Sequence, residues 1–421
     1  MKSNQVITAI DIGTTKICVI IAVTTPENTL EVKGIGTTKS EGLSNGIVID
    51  IVKASKSISD AIDEAEIMAD RTAKNIFVGI AGEHVKSQNT LGRISLTSAS
   101  EPCEITQDHI DNVINNAKNN IKIQQGNERL DIIHAIPQYY DIDGQTGIMN
   151  PLNMSGFNLS AYVHIVMADI NTIRNITKCV ELCNYKVRDI FLEPIASSFA
   201  VLNEVEKKLG AIIIDIGGGT TDIAVFYKDS IRFSGVLPMG GTNVTQDLSI
   251  GLHAAPQNAE EIKITVGNCI ASTIPQDKLI EVEGIAGRES KQKKLRYISE
   301  IIEARMREIL EGTYQMLNDH HNLKMITAGL TLTGGASLLK NCEFLAEEIY
   351  NMSTKIGYPY LDRLSGPTER LANPKFATSV GILYHAHSLI SDRNDLISPV
   401  KYKDPFISIF KRLIANFKEY I

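Results

Sequence analysis

The chain has 421 residues, too many for one compact core, so two or more lobes are expected. A net charge of −7 argues against a nucleic-acid-binding surface, and no nucleic-acid partner is expected. Six cysteines without disulfide-framework spacing point to a reducing compartment, and no apolar run reaches the length of a transmembrane helix.

The N-terminus runs directly into an apolar strand, so no signal peptide is expected ahead of it. "QVITAIDIGTTKICVIIAV" reads as strand, tight turn, strand. "SKSISDAIDEAEIMADRTA" carries helical periodicity, and "NIFVGIAG" reads as a buried strand. From residue 84 to 163 the texture becomes more polar, with strand patterns around one helix ("TQDHIDNVINNAKNN"), as in a small α+β insertion. Helix ("NTIRNITKCVELCN") and strand ("VRDIFLEP") follow.

A second cycle starts with the helical "IASSFAVLNEVEKKLG". Next come the antiparallel strands of "AIIIDIGGGTTDIAVFYKDSIRFSGVLPMGG". "NAEEIKITVG" and "LRYISEIIEARMREILEGTYQMLN" read as helices around a short β stretch near Ile280. "MITAGLTLTGGASLLKNCEFLAEEIYN" reads as strand, glycine turn, helix, and "NPKFATSVGILYHAHSLI" as a last helix. "VITAIDIGTTKICVII" and "AIIIDIGGGTTDIAVF" share one pattern, with Asp11 and Asp215 204 residues apart. That period is a duplicated domain, far too long for a solenoid repeat.

In "DIGGGTTD", Gly217, Gly218 and Gly219 remove every Cβ from a turn, which lets backbone N–H groups approach a phosphate. Thr220 and Thr221 add hydroxyls, and Asp215 stands where it can hold Mg²⁺ through water. In "DIGTTK", Gly13, Thr14 and Thr15 form a similar turn, Lys16 adds a positive charge, and Asp11 is a second magnesium-side carboxylate. One such hairpin is as often an ordinary glycine turn; two matching copies suit a triphosphate gripped from both sides. The chain has no G-x-x-x-x-G-K-[ST] and no H-E-x-x-H. Gly334 and Gly335 in "LTGGASLLKNC" end a strand and are expected to open a helix, offering bare backbone to a flat base. Glu260 and Lys263 lie one helical turn apart and suit either a ribose and adenine edge or a surface ion pair.

The C-terminal "PFISIFKRLIANFKEYI" places Phe406, Phe410, Leu413, Ile414 and Phe417 on one helical face, with Lys411, Arg412 and Lys418 at its flanks. That pattern fits an in-plane membrane helix on an anionic surface, or a terminal helix docked on the protein's own core.

Five landmarks occur in order: the turn at Asp11, the helix "EPIASSFAVLN", the turn at Asp215, the glycines at Gly334, and the helix "ATSVGILYHA". Together they resemble the actin, DnaK-chaperone and sugar-kinase ATPase superfamily. "GLSNGIVIDIVKASKSISDAIDEAEIMA", "VGIAGEHVKS", the insertion and the amphipathic tail are similar to the FtsA family of bacterial cell-division proteins.

The resemblance implies an α/β, actin-like two-lobed fold of duplicated RNase H-like domains with a small inserted α+β subdomain. Residues 1–83 and 164–194 would form the first lobe and 84–163 the insertion. Residues 195–242 and 311–390 would form the second lobe, and 243–310 its small subdomain. A linker over 391–404 would lead to a membrane-targeting helix over 405–421. The implied protein binds ATP and Mg²⁺, hydrolyses ATP weakly at most, and forms filaments. It would tie the C-terminal peptide of the tubulin-like FtsZ to the cytoplasmic face of the inner membrane at the division site and recruit later division proteins. Glu193 would orient the attacking water, and Arg305 and Glu308 would meet FtsZ. Rival readings are a pilus-assembly ATP-binding protein of the PilM type and a small-molecule kinase.

Overall fold

The computed structural model describes residues 4–97, 100–121, 130–284, 288–319 and 323–392. The segment 405–421, with the proposed membrane residues Phe406, Phe410, Leu413, Ile414 and Phe417, lies outside the described residues.

Two sheets built to one plan form the frame. In the first, Val187–Leu192, Ile76–Ile80, Val6–Ile12, Lys16–Thr24 and Leu30–Lys39 lie side by side in that order. The second runs Thr354–Ile356, Gly329–Thr333, Ala211–Ile216, Thr221–Tyr227 and Ser230–Leu237. In both, the first three strands in chain order form an antiparallel meander and the next two add in parallel. The central strands Val6–Ile12 and Ala211–Ile216 are buried on both faces, which is why they read as unbroken apolar runs rather than alternating ones. The repeated turns match in detail. The Gly13 N–H donates to the Lys16 carbonyl at 3.1 Å, and the Gly217 N–H to the Thr220 carbonyl at 2.9 Å. Asp11 faces Cys18 across its hairpin, and Asp215 faces Asp222 across the other. The first sheet gains a sixth, two-residue strand, Leu364–Ser365, contributed by the second half of the chain.

Two helices join the lobes. Glu193–Val201 starts with Glu193 and Pro194, and Ala377–Asp392 crosses it. The crossing is tight because Gly381 has no side chain: a Cβ there would lie 1.9 Å from the Ala196 carbonyl oxygen. Ala196, Ala200, Val380 and Leu383 from these helices share one core with Ile7 and Phe77 of the first sheet and Ile213 and Ala224 of the second. The lobes are therefore packed through the helix pair, whose buried apolar side chains bridge the two sheets.

The insertion is a four-stranded antiparallel sheet, ordered Gln145–Ile148, Leu130–Ile142, Asn158–Asp169, Val85–Ser95. Helix Gln107–Asn119 covers it, capped by Thr106 and His109. Ile110, Val113 and Ile114 bury against Leu159, Ala161 and Val163 in a core of its own. The strand leaving the insertion continues unbroken to Asp169 and then enters helix Ile170–Leu182. In the second lobe, helix Gly241–Leu252, helix Pro256–Val266, the hairpin Leu279–Val282/Lys291–Lys294 and the 25-residue helix Leu295–Asp319 pack outside the sheet.

Gly334 and Gly335 do not open an α-helix. A four-residue 3₁₀ turn, Gly335–Leu338, intervenes, and Asn341 takes a left-handed conformation before helix Cys342–Tyr350. The run "GASLLKN" lacks a capping box ahead of its apolar positions, so the chain turns twice before the helix can start.

Candidate functional site

Asp11 and Asp215 end the two central strands and are both buried. The linking helices hold them. Ser197 and Thr378 donate to Asp215 Oδ2 at 2.7 and 3.1 Å, and Ser379 donates to Asp11 Oδ2 at 3.4 Å. Adjacent residues of one helix thus address the carboxylates of both lobes. Glu193, at the start of the other helix, is partly buried and lies over Gly79. Asp222, the cross-strand partner of Asp215, is also buried; its Oδ2 accepts from Thr220 Oγ1 at 3.1 Å while Oδ1 has no partner among the described residues.

Four carboxyl groups thus share the cleft, three of them buried. Burial pushes the Asp11 carboxyl up to about 6, with Lys16 opposing and the Asp215 charge adding. Burial also raises Asp215, against the hydrogen bonds from Ser197 and Thr378. Glu193 is held well above the usual carboxylate range by burial and by the charges of Asp11, Asp222 and Asp215. Asp222 is raised by burial and by Asp215. Such a set favours a cation, which would restore the ionised forms. Among the described residues no three Asp, Glu, His or Cys side chains converge closely enough to hold a metal directly.

The two glycine turns meet across the cleft. A Cβ on Gly218 would come within 2.3 Å of the Thr15 side chain, and one on Gly219 within 2.7 Å of Thr14 Oγ1 and 2.9 Å of Asn45 Oδ1. The N–H groups of Gly241 and Thr242, at the start of helix Gly241–Leu252, donate to the carbonyls of Gly217 and Gly218 at 2.9 and 2.8 Å and set the turn's shape. Thr221 Oγ1 donates to the Met239 carbonyl at 2.8 Å and is turned into the fold, while Thr220 Oγ1 is taken up by Asp222 in the cleft. The Lys16 ammonium donates to the Lys375 carbonyl at 2.6 Å and lies 4.1 Å over the Phe376 ring. Beside it opens a polar hollow of about 510 Å³, lined in part by Thr15, Lys39, Arg370 and Lys375.

Gly334 abuts Asp215, whereas Gly335 faces open space, the nearest atom to a Cβ being Lys375 Cβ at 4.0 Å. Lys263 is buried, pairs with Glu260 at 2.6 Å, and donates to the Gly241 carbonyl and Thr245 Oγ1 at 3.0 and 2.9 Å. Thr245 also donates to Glu260. The pair is therefore built into the base of helix Gly241–Leu252 instead of lying loose on the surface. A Cβ on Gly241 would be 3.2 Å from Ala336 Cβ and 3.5 Å from Lys263 Nζ, so this network adjoins the Gly334–Ala336 turn.

Arg305 stands elsewhere on the second lobe. Its guanidinium forks onto Asp247 at 2.6 and 3.1 Å and also pairs with Glu308 at 2.6 Å. The three-residue spacing does bring Arg305 and Glu308 together; Asp247 was not legible from sequence because it lies on another helix.

The residues missed by sequence reading are Asp222, Ser197, Thr378, Ser379, Asn45 and the Gly240–Gly241 pair. Asp222 carried a signal, being the last residue of the quoted "DIGGGTTD". The serines and threonines carried none, since small hydroxyl residues in an apolar helix are common.

A family model, cell division protein FtsA, matches residues 212–381, and a second, the SHS2 domain inserted in FtsA, matches residues 82–167. The cell division protein FtsA of Pseudomonas aeruginosa is 37% identical over 392 residues, covering 93% of this chain and 92% of that protein. The chain belongs to the FtsA family of cell-division proteins. FtsA of Neisseria meningitidis is 36% identical, covering 92% of each chain, and FtsA of Escherichia coli K12 is 32% identical, covering 91% of this chain and 90% of that one. Among solved structures, the PilM-PilN type IV pilus biogenesis complex aligns with a TM-score of 0.64 at 13% identity over 90% of this chain and 98% of that one. MreB5 of Spiroplasma citri bound to ADP aligns with a TM-score of 0.55 at 13% identity, over 93% and 99%. These two likenesses show the actin-like fold alone; the family membership rests on the FtsA relatives, and the chain is a cell-division protein on that basis.

Proposed function

We propose that the cleft binds ATP with Mg²⁺ and that the chain is an actin-like membrane anchor for FtsZ. The observation that carries the nucleotide reading is the pair of facing glycine turns, each beside a buried strand-end aspartate. Gly13–Thr15 and Gly217–Gly219 would hold phosphates through backbone N–H groups. Asp11 and Asp215 would hold Mg²⁺ through water, and the metal would neutralise charge on the phosphates. The network of Glu260 and Lys263 and the bare backbone at Gly334 and Gly335 would take the ribose and base. Glu193, once ionised beside the metal, can accept a hydrogen bond from water and aim it into the cleft; hydrolysis on this reading is slow at most.

Family membership supports filament formation, capture of the FtsZ C-terminal peptide and recruitment of later division proteins, and Arg305 and Glu308 are the residues we assign to the peptide contact. Family membership also supports a peripheral place at the cytoplasmic face of the inner membrane. No helix among the described residues is long and apolar enough to cross a membrane. Attachment is assigned to the face formed by Phe406, Phe410, Leu413, Ile414 and Phe417.

The test is ATP affinity with and without Mg²⁺ in Asp215→Asn and Gly218→Val. Asp215→Asn should lose most of the Mg²⁺-dependent gain. Gly218→Val should weaken binding with or without metal by roughly tenfold or more, as overpacking between the turns forces them apart. Unchanged affinity in both variants rejects the site.

A further inference from the structure

The inserted subdomain reaches the second lobe through a polar cluster, buried at Gln138, His164, Ser230 and Ser234 and open to solvent at Asn89, that the nucleotide site does not use. The strand Ser230–Leu237 is the edge of the second sheet, and an edge strand leaves a row of backbone groups without sheet partners. Side chains of the insertion take up those groups. Ser87 Oγ donates to the Ser234 carbonyl at 2.6 Å, Asn89 Nδ2 to the Arg232 carbonyl at 2.9 Å, and Gln138 Nε2 to the Ile231 carbonyl at 2.7 Å. In return Ser230 Oγ donates to the Gln138 carbonyl at 2.7 Å.

His164 closes the cluster. Its Nδ1 lies 2.7 Å from Asn89 Oδ1 and its Nε2 lies 2.9 Å from Ser234 Oγ. Asn89 Oδ1 also accepts from Gln138 Nε2 at 3.1 Å. One proton arrangement satisfies the whole set: His164 neutral with its proton on Nδ1, and Ser234 donating to Nε2. Gln138, His164, Ser230 and Ser234 are all buried, so a shift of the insertion against this strand would leave several polar groups unpaired in the interior.

The same strand is fastened to the phosphate turn on its other side. Thr221, the second residue after Gly219, pairs with Leu237 in the sheet, and its hydroxyl bonds the Met239 carbonyl. The chain then passes through Gly240 to Gly241 and Thr242, whose N–H groups hold the carbonyls of Gly217 and Gly218. Between the phosphate turn and the insertion there is one strand, held by hydrogen bonds on both edges.

We propose that Ser87, Asn89, Gln138 and His164 latch the insertion to strand Ser230–Leu237, so that occupancy of the Gly217–Gly219 turn alters the insertion and the insertion alters nucleotide affinity. This inference rests on the reading of that turn as a phosphate site. Coupling of this kind is reciprocal: a partner that shifts the insertion would change nucleotide affinity by the factor with which nucleotide changes the partner's.

The experiment is amide hydrogen exchange on the full chain with and without ATP and Mg²⁺, with ATP binding measured on the same samples. In the parent, exchange over residues 85–95 and 158–169 should change by roughly threefold or more on saturation, a modest coupling by ordinary standards. Ser87→Ala/Asn89→Ala, and Asn89→Ala alone, should bind ATP and lose that response. Gln88→Ala, on the other face of the same strand, should keep it. A parent that binds ATP while these strands do not respond overturns the latch, as does an unchanged response in both latch variants. A parent that fails to bind ATP overturns the phosphate reading and the coupling with it.

Discussion

Gly334 and Asp215 share a wall of the cleft: a Cβ on Gly334 would lie 2.4 Å from Asp215 Oδ1 and 2.5 Å from the Ile216 carbonyl oxygen. Gly334 also has a φ of +84°, in the left-handed region. Gly334→Ala therefore carries two costs, the backbone strain of about 1–2 kcal/mol and displacement of a buried carboxylate. Its thermal midpoint should fall, and Mg²⁺-dependent ATP binding should fall with it. Gly335→Ala meets open space and should leave stability within about 0.5 kcal/mol of the parent. Differential scanning calorimetry of the pair checks this; equal losses in both would remove the claim that Gly334 supports Asp215.

The buried histidines make an acid-sensitive contribution to stability. Burial pushes the His134 imidazole down to about 4 and that of His164 to about 3. His134 must be neutral at Nε2 to accept the Leu192 N–H at 3.0 Å. An unfolded chain charges its histidines near 6.5. Stability from the neutral ring is therefore complete above 6.5 and is lost as pH falls from there towards 4. For His134 alone the loss at pH 5 is on the order of 2 kcal/mol. The cleft carboxyls work in the opposite direction: Asp11, raised to about 6, and Asp215, Asp222 and Glu193, also raised by burial, take up protons in the folded chain before the unfolded one does. The measurement is thus a difference: His134→Gln, which keeps an acceptor for Leu192, should show a shallower fall in thermal midpoint between pH 7.5 and 5 than the parent. Parallel curves would show that the ring does not titrate on unfolding.

Arg305 is held by Asp247 and Glu308, so an acidic peptide docking there has to compete for a guanidinium already paired. Arg305→Glu should abolish binding of the FtsZ C-terminal peptide and leave ATP affinity unchanged. Asp247→Ala should strengthen peptide binding by a few-fold, because it releases one side of the fork. Fluorescence anisotropy with a labelled peptide decides the matter. If Asp247→Ala weakens binding as much as Arg305→Glu does, the cluster serves to position the helix and does not contact the peptide.

A single tail should hold the membrane weakly. Burying a large apolar side chain fully is worth roughly 1.5–3 kcal/mol, but an interfacial helix buries its face in part and must also order itself. A net gain of about 5 kcal/mol corresponds to a dissociation constant near 0.1–1 mM. On the filament proposed above, many tails would raise the effective concentration, so assembly and membrane residence should reinforce each other. Phe410→Glu, Phe417→Glu and deletion of residues 405–421 should each release the chain from anionic vesicles and spare ATP binding. Co-sedimentation with liposomes reads this out; retention of all three on lipid, or unfolding on deletion, places the tail in the protein's own core.

Much of this protein was legible in sequence because its defining features are local. A run such as "AIIID" announces a strand buried on both faces, "DIGTT" and "DIGGGTT" announce turns without Cβ atoms, and their repetition announces two lobes. The helix read over 55–73 was legible from its spacing, with Ile58, Ala61, Ile62 and Ala65 on the buried side; the folded helix runs Ile51–Ala69, started by the Asp50 cap. Only the folded chain decided what meets what. It set Ser197, Thr378 and Ser379 against the aspartates, brought Asp222 in as a fourth carboxyl, put a 3₁₀ turn between Gly334 and the helix Cys342–Tyr350, and seated His164 on Ser234. The physical reason is that periodicity and turn chemistry act between near neighbours and leave a mark on composition. A contact between residues 70 or 368 apart is fixed by sheet register and helix crossing, which leave no pattern in either partner's own surroundings.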